Sequence, residues 1–242
     1  MADYALQYNG VLLQSACPKA QVTDIIVQPI PIDFTKTERV ASNGSLLVRR
    51  RLKERTVTVN IELPLDPNVG MMTANARRVR NWAEASQESP LILPDYDGKY
   101  LLSVLTSISN FSLTKWYKPL QLVFTAFSEP CFISAEDSTG KVGSAITVAG
   151  DENAEVTIEH KITQTLTNPT WTLATGYVIA LVGTFSSGTI KIDCHRGYVS
   201  KDGESLMNQL QPSSRFYHFP KGNHVITGPS GGTVTWRERW HD

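Results

Sequence analysis

From residue 156 to the end, short runs of β-forming residues recur at roughly ten-residue intervals, with turn residues between them. The runs are Val156–His160, Thr170–Ala174, Val178–Val182, Thr189–Cys194, Tyr198–Val199, Val225–Ile226 and Thr233–Trp240. No helical stripe of useful length interrupts them. Each short strand has one face to bury, and many such strands at even spacing bury it as a β-sandwich or barrel.

The first half is built differently. In Arg55–Leu63, Val57, Val59, Ile61 and Leu63 point one way, while Thr56, Thr58, Asn60 and Glu62 point the other. Period two with β-branched residues predicts a strand with one dry face. Tyr100–Ile108 and Leu120–Phe127 alternate in the same way. Between them the period changes. Met72, Ala76, Val79 and Ala83 form a helical stripe with Trp82 beside it, and Arg77, Arg78 and Arg80 point mainly away. The spacing predicts a single helix near 73–87, with Thr73 as N-cap and Pro90 just past its end. After Phe132 the composition turns small and polar. The expected organisation is an N-terminal domain over 1–133 and a C-terminal β-sandwich over 134–242. The fold class is mainly β, a sandwich-like N-terminal domain with one α-helix before the C-terminal sandwich.

Charge narrows the partners. The formal net charge is zero. Residues 1–133 hold 14 basic and 12 acidic residues, and 134–242 hold 9 and 11. Neither half has the basic footprint of a nucleic-acid binder. Low net charge suits a chain that packs against copies of itself. Cys17, Cys131 and Cys194 are odd in number and widely spaced, which predicts folding in a reducing compartment without a disulfide framework. The start of the chain lacks a signal-peptide pattern. No apolar run reaches the ~20 residues of a membrane span. The expectation is a cytoplasmic site of folding and no membrane insertion.

Motifs for chemistry are weak. Cys194 and His195 are the adjacent Cys/His pair, but neighbours on a strand face opposite ways, so one packed thiol and one exposed ring is the reading. Asp193, His195 and Ser200 could be drawn as a triad, yet no G-x-S-x-G elbow frames a serine. Gly228-Pro229-Ser230-Gly231-Gly232 lacks the Lys-Ser/Thr ending and the helix of a phosphate loop, so it reads as a turn. The run from Arg49 to Arg55 leads into a half-buried strand without interleaved aromatics. It reads as a solvated strand entry or an interface charge patch. Trp236 and Trp240 share a face, for packing or for stacking on a sugar. No catalytic, cofactor-binding or metal-ligating residues are expected.

The order of these pieces carries a resemblance. Leu120–Phe132 closes the N-terminal half and a small-residue spacer follows. The end of the chain then runs through Ile190-Lys191-Ile192-Asp193, Gly197-Tyr198-Val199, Phe219-Pro220-Lys221-Gly222-Asn223-His224-Val225-Ile226 and Val234–Trp240. This layout resembles the distal tail protein (Dit) family of long-tailed, non-contractile phages, from about Ile25 to Trp240. The resemblance implies an N-terminal ring domain in six copies that joins the tail tube to the tip, and a galectin-like C-terminal sandwich. It implies a virion protein of the tail tip, assembled in the host cytoplasm. Its implied partners are copies of itself, the tail tube protein, the tail-tip fibre protein and, in many phages, the receptor-binding protein. A carbohydrate-binding module on a β-sandwich is the alternative.

A ring closes through heterologous contacts. Arg77, Arg78 and Arg80 either are solvated or face carboxylates across a subunit boundary. Trp116 and Tyr117 are interface anchors if their segment is an exposed arm, and core if it folds back.

Overall fold

The computed structural model describes residues 5–38, 45–63, 69–109 and 120–242. It divides into two compact units, Met1–Phe132 with His241–Asp242, and Ile133–Trp240.

The first unit holds β1 (Gln7–Tyr8), β2 (Val11–Leu12), α1 (Leu13–Ala16), β3 (Gln21–Val27), β4 (Ile32–Glu38), β5 (Ser45–Leu52), β6 (Arg55–Glu62), α2 (Val69–Ala83), β7 (Ser89–Ile92), β8 (Lys99–Ile108) and β9 (Leu120–Ala126). Seven strands form an antiparallel sheet in the order β2-β1-β7-β8-β9-β6-β3. The alternation expected for Arg55–Leu63 is realised in β6, where Val57, Val59 and Ile61 are fully buried and Thr56, Thr58 and Asn60 are half-exposed. Tyr8, Trp82 and Phe124 meet over the sheet, with Tyr8 and Phe124 centroids 5.0 Å apart and Trp82 edge-on to both. The Tyr8 hydroxyl donates to the Ser103 carbonyl at 3.0 Å.

The main helix runs Val69–Ala83, not 73–87, so Thr73 lies inside it rather than at its cap. The early stop has a physical cause. Ser89 is already paired with Ser103 in the sheet. The Glu88 carboxylate is held by the backbone N–H groups of Phe127 at 2.6 Å and Ser128 at 3.1 Å. The chain must therefore leave the helix within a few residues of Ala83. A second, one-turn helix, α1, stands where the sequence pattern indicated none.

The β3–β6 pair continues beyond the sheet. Gln28 N–H donates to Thr56 O at 3.0 Å and Lys53 N–H to Pro31 O at 2.8 Å, linking it to the β4–β5 pair. The distal β4–β5 pair is a separate two-stranded sheet, hydrogen-bonded to no further strand among the described residues.

Arg55 corrects the reading of Arg49–Arg55 as a solvated run. Period two places it on the dry face of β6, where it is 2% exposed. Its Nε donates to Gln28 O at 2.7 Å and its Nη2 to Asp242 O at 2.7 Å. The guanidinium lies 4.9 Å from the centroid of the Phe132 ring, which stacks on Tyr96. Burial lowers its pKa, opposed by Tyr96, Cys131 and Asp242. Guanidinium groups remain charged under such shifts, so the carbonyls and the ring are what make the buried charge tolerable.

The second unit follows β10 (Phe132–Ser134) and contains β11 (Ser138–Lys141), β12 (Ala145–Val148), β13 (Glu155–Lys161), β14 (Leu166–Thr167), β15 (Thr170–Ala174), β16 (Tyr177–Ala180), β17 (Thr184–Phe185), β18 (Thr189–Asp193), β19 (Tyr198–Lys201), β20 (Glu204–Ser205), β21 (Gly222–Val225), β22 (Gly232–Arg237) and β23 (Arg239–Trp240). One sheet runs β11-β22-β13-β18-β19-β20. The pairs β12–β21, β14–β17 and β15–β16 supply the strands outside it, and a Thr172–Thr227 bridge joins two of their segments. Val156, Ile158, Ile190, Ile192 and Val234 of the first sheet close on Ile146, Trp171, Leu173, Ile179 and Phe219. Trp171 is fully buried and lies against the backbone of Gly228, where an added Cβ would come within 2.5 Å of the indole. The glycine turn is thus a packing requirement. Glu238 breaks the last run into β22 and β23. Its carboxylate accepts from Ala149 N–H at 3.1 Å and Trp236 Nε1 at 3.3 Å. Trp236 is core, 8% exposed.

Arg55→Ala removes two hydrogen bonds and a ring contact from the buried end of β6. The expected loss is about 2–3 kcal/mol, read from urea unfolding of the N-terminal unit. An unchanged midpoint would contradict the structural role given to this guanidinium.

Candidate interaction surface

The helical period of α2 sorts its side chains. Val79, Trp82 and Ala83 are buried, and Arg77, Arg78 and Arg80 are exposed. Trp82 fixes the helix by donating Nε1 to the Val11 carbonyl of β2 at 2.8 Å. Arg78 Nη1 reaches Asn75 Oδ1 at 3.5 Å. Arg77 and Arg80, three residues apart, are neighbours on the helix surface, so their charges concentrate on one stripe. Arg80 lies in the last turn, where the helix dipole favours a cation. Trp116 and Tyr117 lie outside the described residues.

Beside this face is a groove of about 330 Å³, lined by Tyr8, Val11, Ala16, Arg78, Trp82 and Glu84 among others. Val11 and Leu12 of β2 are 46% and 40% exposed at the edge of the sheet. The groove thus combines an apolar edge strand, an arginine and a carboxylate.

The two-stranded extension presents a surface that sequence reading did not single out. Its register pairs Ile32 with Leu52, Asp33 with Arg51, Phe34 with Arg50 and Thr35 with Arg49. Directly paired residues share a face. One face carries Ile32, Phe34, Arg50 and Leu52, and the other Asp33, Thr35, Arg49 and Arg51. Ile32, Phe34 and Val48 are 43%, 47% and 58% exposed. The alternation Ile32-Asp33-Phe34-Thr35 was the available signal, but two prolines just upstream obscured it.

The second unit has a cleft of about 660 Å³ lined by Thr184, Phe185, Ser186, Lys201, Asp202 and Gln209 among others. Asp202 accepts from Thr189 N–H at 2.8 Å and Lys201 Nζ at 3.0 Å. The Thr189 N–H and then Lys201 hold its carboxyl below the usual range, so it stays ionised and is a poor proton carrier near neutrality. Asp193, His195 and Ser200 have other partners: Asp193 Oδ1 accepts from Arg196 N–H, His195 faces Glu155 at 3.8 Å, and Ser200 is buried. Cys194 is packed, and burial pushes its thiol up to about 12. Among the described residues no group of three His, Cys, Asp or Glu converges on a possible metal position. No described helix is long and apolar enough to cross a membrane.

Residues 149–240 match the family model of the siphovirus-type tail component, C-terminal domain. The matched segment spans most of the C-terminal unit. The match agrees with the resemblance drawn from strand order. Among solved structures, the Dit protein of phage SPP1 aligns over 98% of both chains with 15% identity and a TM-score of 0.82. That structure is described as a paradigm of the hub of the adsorption apparatus in phages infecting Gram-positive bacteria. The likeness establishes a mainly β fold with a galectin-like C-terminal domain. A chain of the phage P2 baseplate, in its activated conformation with calcium, aligns over 91% of this chain and 90% of its own, with 9% identity and a TM-score of 0.44. No curated protein sequence matches the chain.

His160 supplies a pH test of the C-terminal unit. It is 3% exposed, edge-on to Trp171 with centroids 6.2 Å apart, and burial lowers its pKa. The unfolded chain binds this proton near pH ~6.5, whereas the folded one holds out to lower pH. Stability of the C-terminal unit is therefore full above that value and falls as the pH drops below it. Thermal unfolding between pH 7.5 and 5 should show that loss, and His160→Leu should flatten it. An equally steep loss in the variant would assign the effect elsewhere.

Proposed function

We propose that the protein is a structural, non-enzymatic component of a phage tail tip, a distal tail protein. In this reading six copies form a ring that joins the tail tube to the adsorption apparatus. The observation that carries it is the fold shared along 98% of both chains with the SPP1 hub protein. The family match over residues 149–240 supports it independently. A carbohydrate-binding module would account for the sandwich alone, whereas the fold match also spans the N-terminal unit.

On this reading residues 1–133 act as the ring domain and 134–242 as the galectin-like domain. The ring's partners are further copies of the chain, the tail tube protein, the tail-tip fibre protein and a receptor-binding protein. The protein would be assembled in the bacterial host cytoplasm and carried in the virion. The exposed arginines of α2 are the proposed ring contacts, facing carboxylates of the next copy. Trp116 and Tyr117 are retained as proposed anchors on grounds of sequence.

Light scattering behind size exclusion tests the ring. The expected species has six times the 26.8 kDa of the chain. Charge reversal of Arg77, Arg78 and Arg80 together should reduce that mass and leave circular dichroism unchanged, because all three side chains are exposed. An unchanged mass in the triple variant would remove these residues from the interface.

A further inference from the structure

We propose that the cleft of the second unit, lined by the loop 182–187 and the β19–β20 turn, binds a neutral saccharide. The inference goes beyond the tail-tip reading and does not need the ring. It begins from walls that are fixed before any ligand arrives. Lys201 pairs with Glu204 across β19 and β20, and Asp202 and Gly203 make the two-residue turn between them. Both turn residues have positive φ, 50° and 90°, as the tightest hairpin turns require. The facing loop is pinned at its start. Val182 N–H donates to the Gln209 carbonyl at 2.8 Å and Gly183 N–H to Asn168 Oδ1 at 2.9 Å. Beyond its far end, Thr189 N–H donates to Asp202 Oδ1 at 2.8 Å and ties the loop to the turn. Gly188 makes room for that contact, since a Cβ there would come within 2.1 Å of Asp202 Oδ2.

The lining combines two kinds of surface. Phe185 and Leu206 are 6% and 7% exposed and supply the apolar part. Thr184, Ser186, Glu204 and Gln209 bring hydroxyls, a carboxylate and an amide. A sugar ring has the same duality. Its C–H groups form apolar patches, and its hydroxyls both donate and accept. Hydroxyl and amide side chains can answer in either role, and a carboxylate accepts. Bonds to an ionised acceptor are the stronger kind. The volume, about 660 Å³, falls within the ~300–1,000 Å³ of small-ligand sites.

Charge selects against other ligands. Lys201 is the cation of the lining, and Asp202 already pairs with it at 3.0 Å. With Glu204 added the walls lean negative, which disfavours a phosphate. A metal ion would find Asp202 committed to Thr189 N–H and Lys201, and among the described residues no group of three possible ligands converges. A wholly apolar ligand would bury polar walls without partners. A neutral, hydroxyl-rich ligand meets each of these demands.

The test uses the full chain. Saturation-transfer NMR and calorimetric titration are run with maltotriose, cellotriose, lactose and N-acetylchitotriose, and with inorganic phosphate and trilysine as charged controls. The expected result is saturable binding of at least one of the four sugars and of neither control. Asp202→Asn should weaken that binding by about tenfold, the loss expected when a charged acceptor becomes neutral. Asp202 also holds the turn, so Glu204→Gln serves as the second variant. Its side chain is exposed, the fold should survive by circular dichroism, and affinity should fall severalfold. Lys191→Ala, on an exposed strand position away from the lining, should change nothing. Failure of all four sugars to bind would overturn the proposal. So would sugar binding that both variants leave intact, which would place the site elsewhere. Binding of phosphate or trilysine in place of the sugars would reassign the cleft to a charged ligand. None of these readouts concerns oligomer mass, so each outcome is independent of the light-scattering test of the ring.

Discussion

The N-terminal unit depends on the register of β6. This strand lies between β3 and β9 and is hydrogen-bonded along both sides. Its alternation puts Val57, Val59 and Ile61 under the Tyr8–Trp82–Phe124 cluster. A slip of one residue would expose all three and bury threonines and an asparagine instead, so register and core are one constraint. That constraint extends to Arg55. The same parity drives a guanidinium inward, and the surrounding chain answers with two carbonyls and an aromatic ring. Asp242 supplies one of those carbonyls, which explains why the last two residues belong to the first unit.

The sequence made the periodic parts legible. Strict alternation in β6, the spacing of strands after residue 156 and the stripe of α2 are local signals, and each corresponds to a structural element. What escaped was decided by distant partners. The end of α2 is set by the grip on Glu88 and by the Ser89–Ser103 pairing, neither of which is visible in helix propensity. The position of Arg55 was implicit in period two, but its neighbours Arg49–Arg51 made the run look uniformly solvated. The one-turn α1 is too short for any periodicity to reveal. In the second unit, Trp236 and Trp240 were grouped as one face of one strand. The break at Glu238 follows from a buried carboxylate claimed by Ala149 and Trp236, a tertiary demand.

The candidate surface was only half legible for a related reason. Helical spacing was enough to expose Arg77, Arg78 and Arg80. The β4–β5 ribbon required knowing that β4 and β5 pair with each other and with nothing further among the described residues. Amphipathic alternation normally announces a core face. Only the topology reveals that, among the described residues, no further strand pairs with this ribbon.

The two units treat their sheet edges differently, and the difference bears on where assembly forces reside. In the second unit the long sheet ends in β20, two residues, and β11, four residues. Short terminal strands offer little backbone for another chain to pair with, a common protection against edge-to-edge association. In the first unit β3 has seven residues at the edge, and it leads into strands of seven and eight residues that no third strand covers among the described residues. Evolution usually blunts such ribbons with charge. Here Arg49 and Arg51 lie opposite Thr35 and Asp33 on one face, and on the other Arg50 stands opposite Phe34 beside Ile32 and Leu52. A ribbon with charge on both faces and apolar side chains on only one does not associate indiscriminately. It favours a partner that meets it from a single side, and with near-zero net charge there is little long-range repulsion between copies to oppose that meeting.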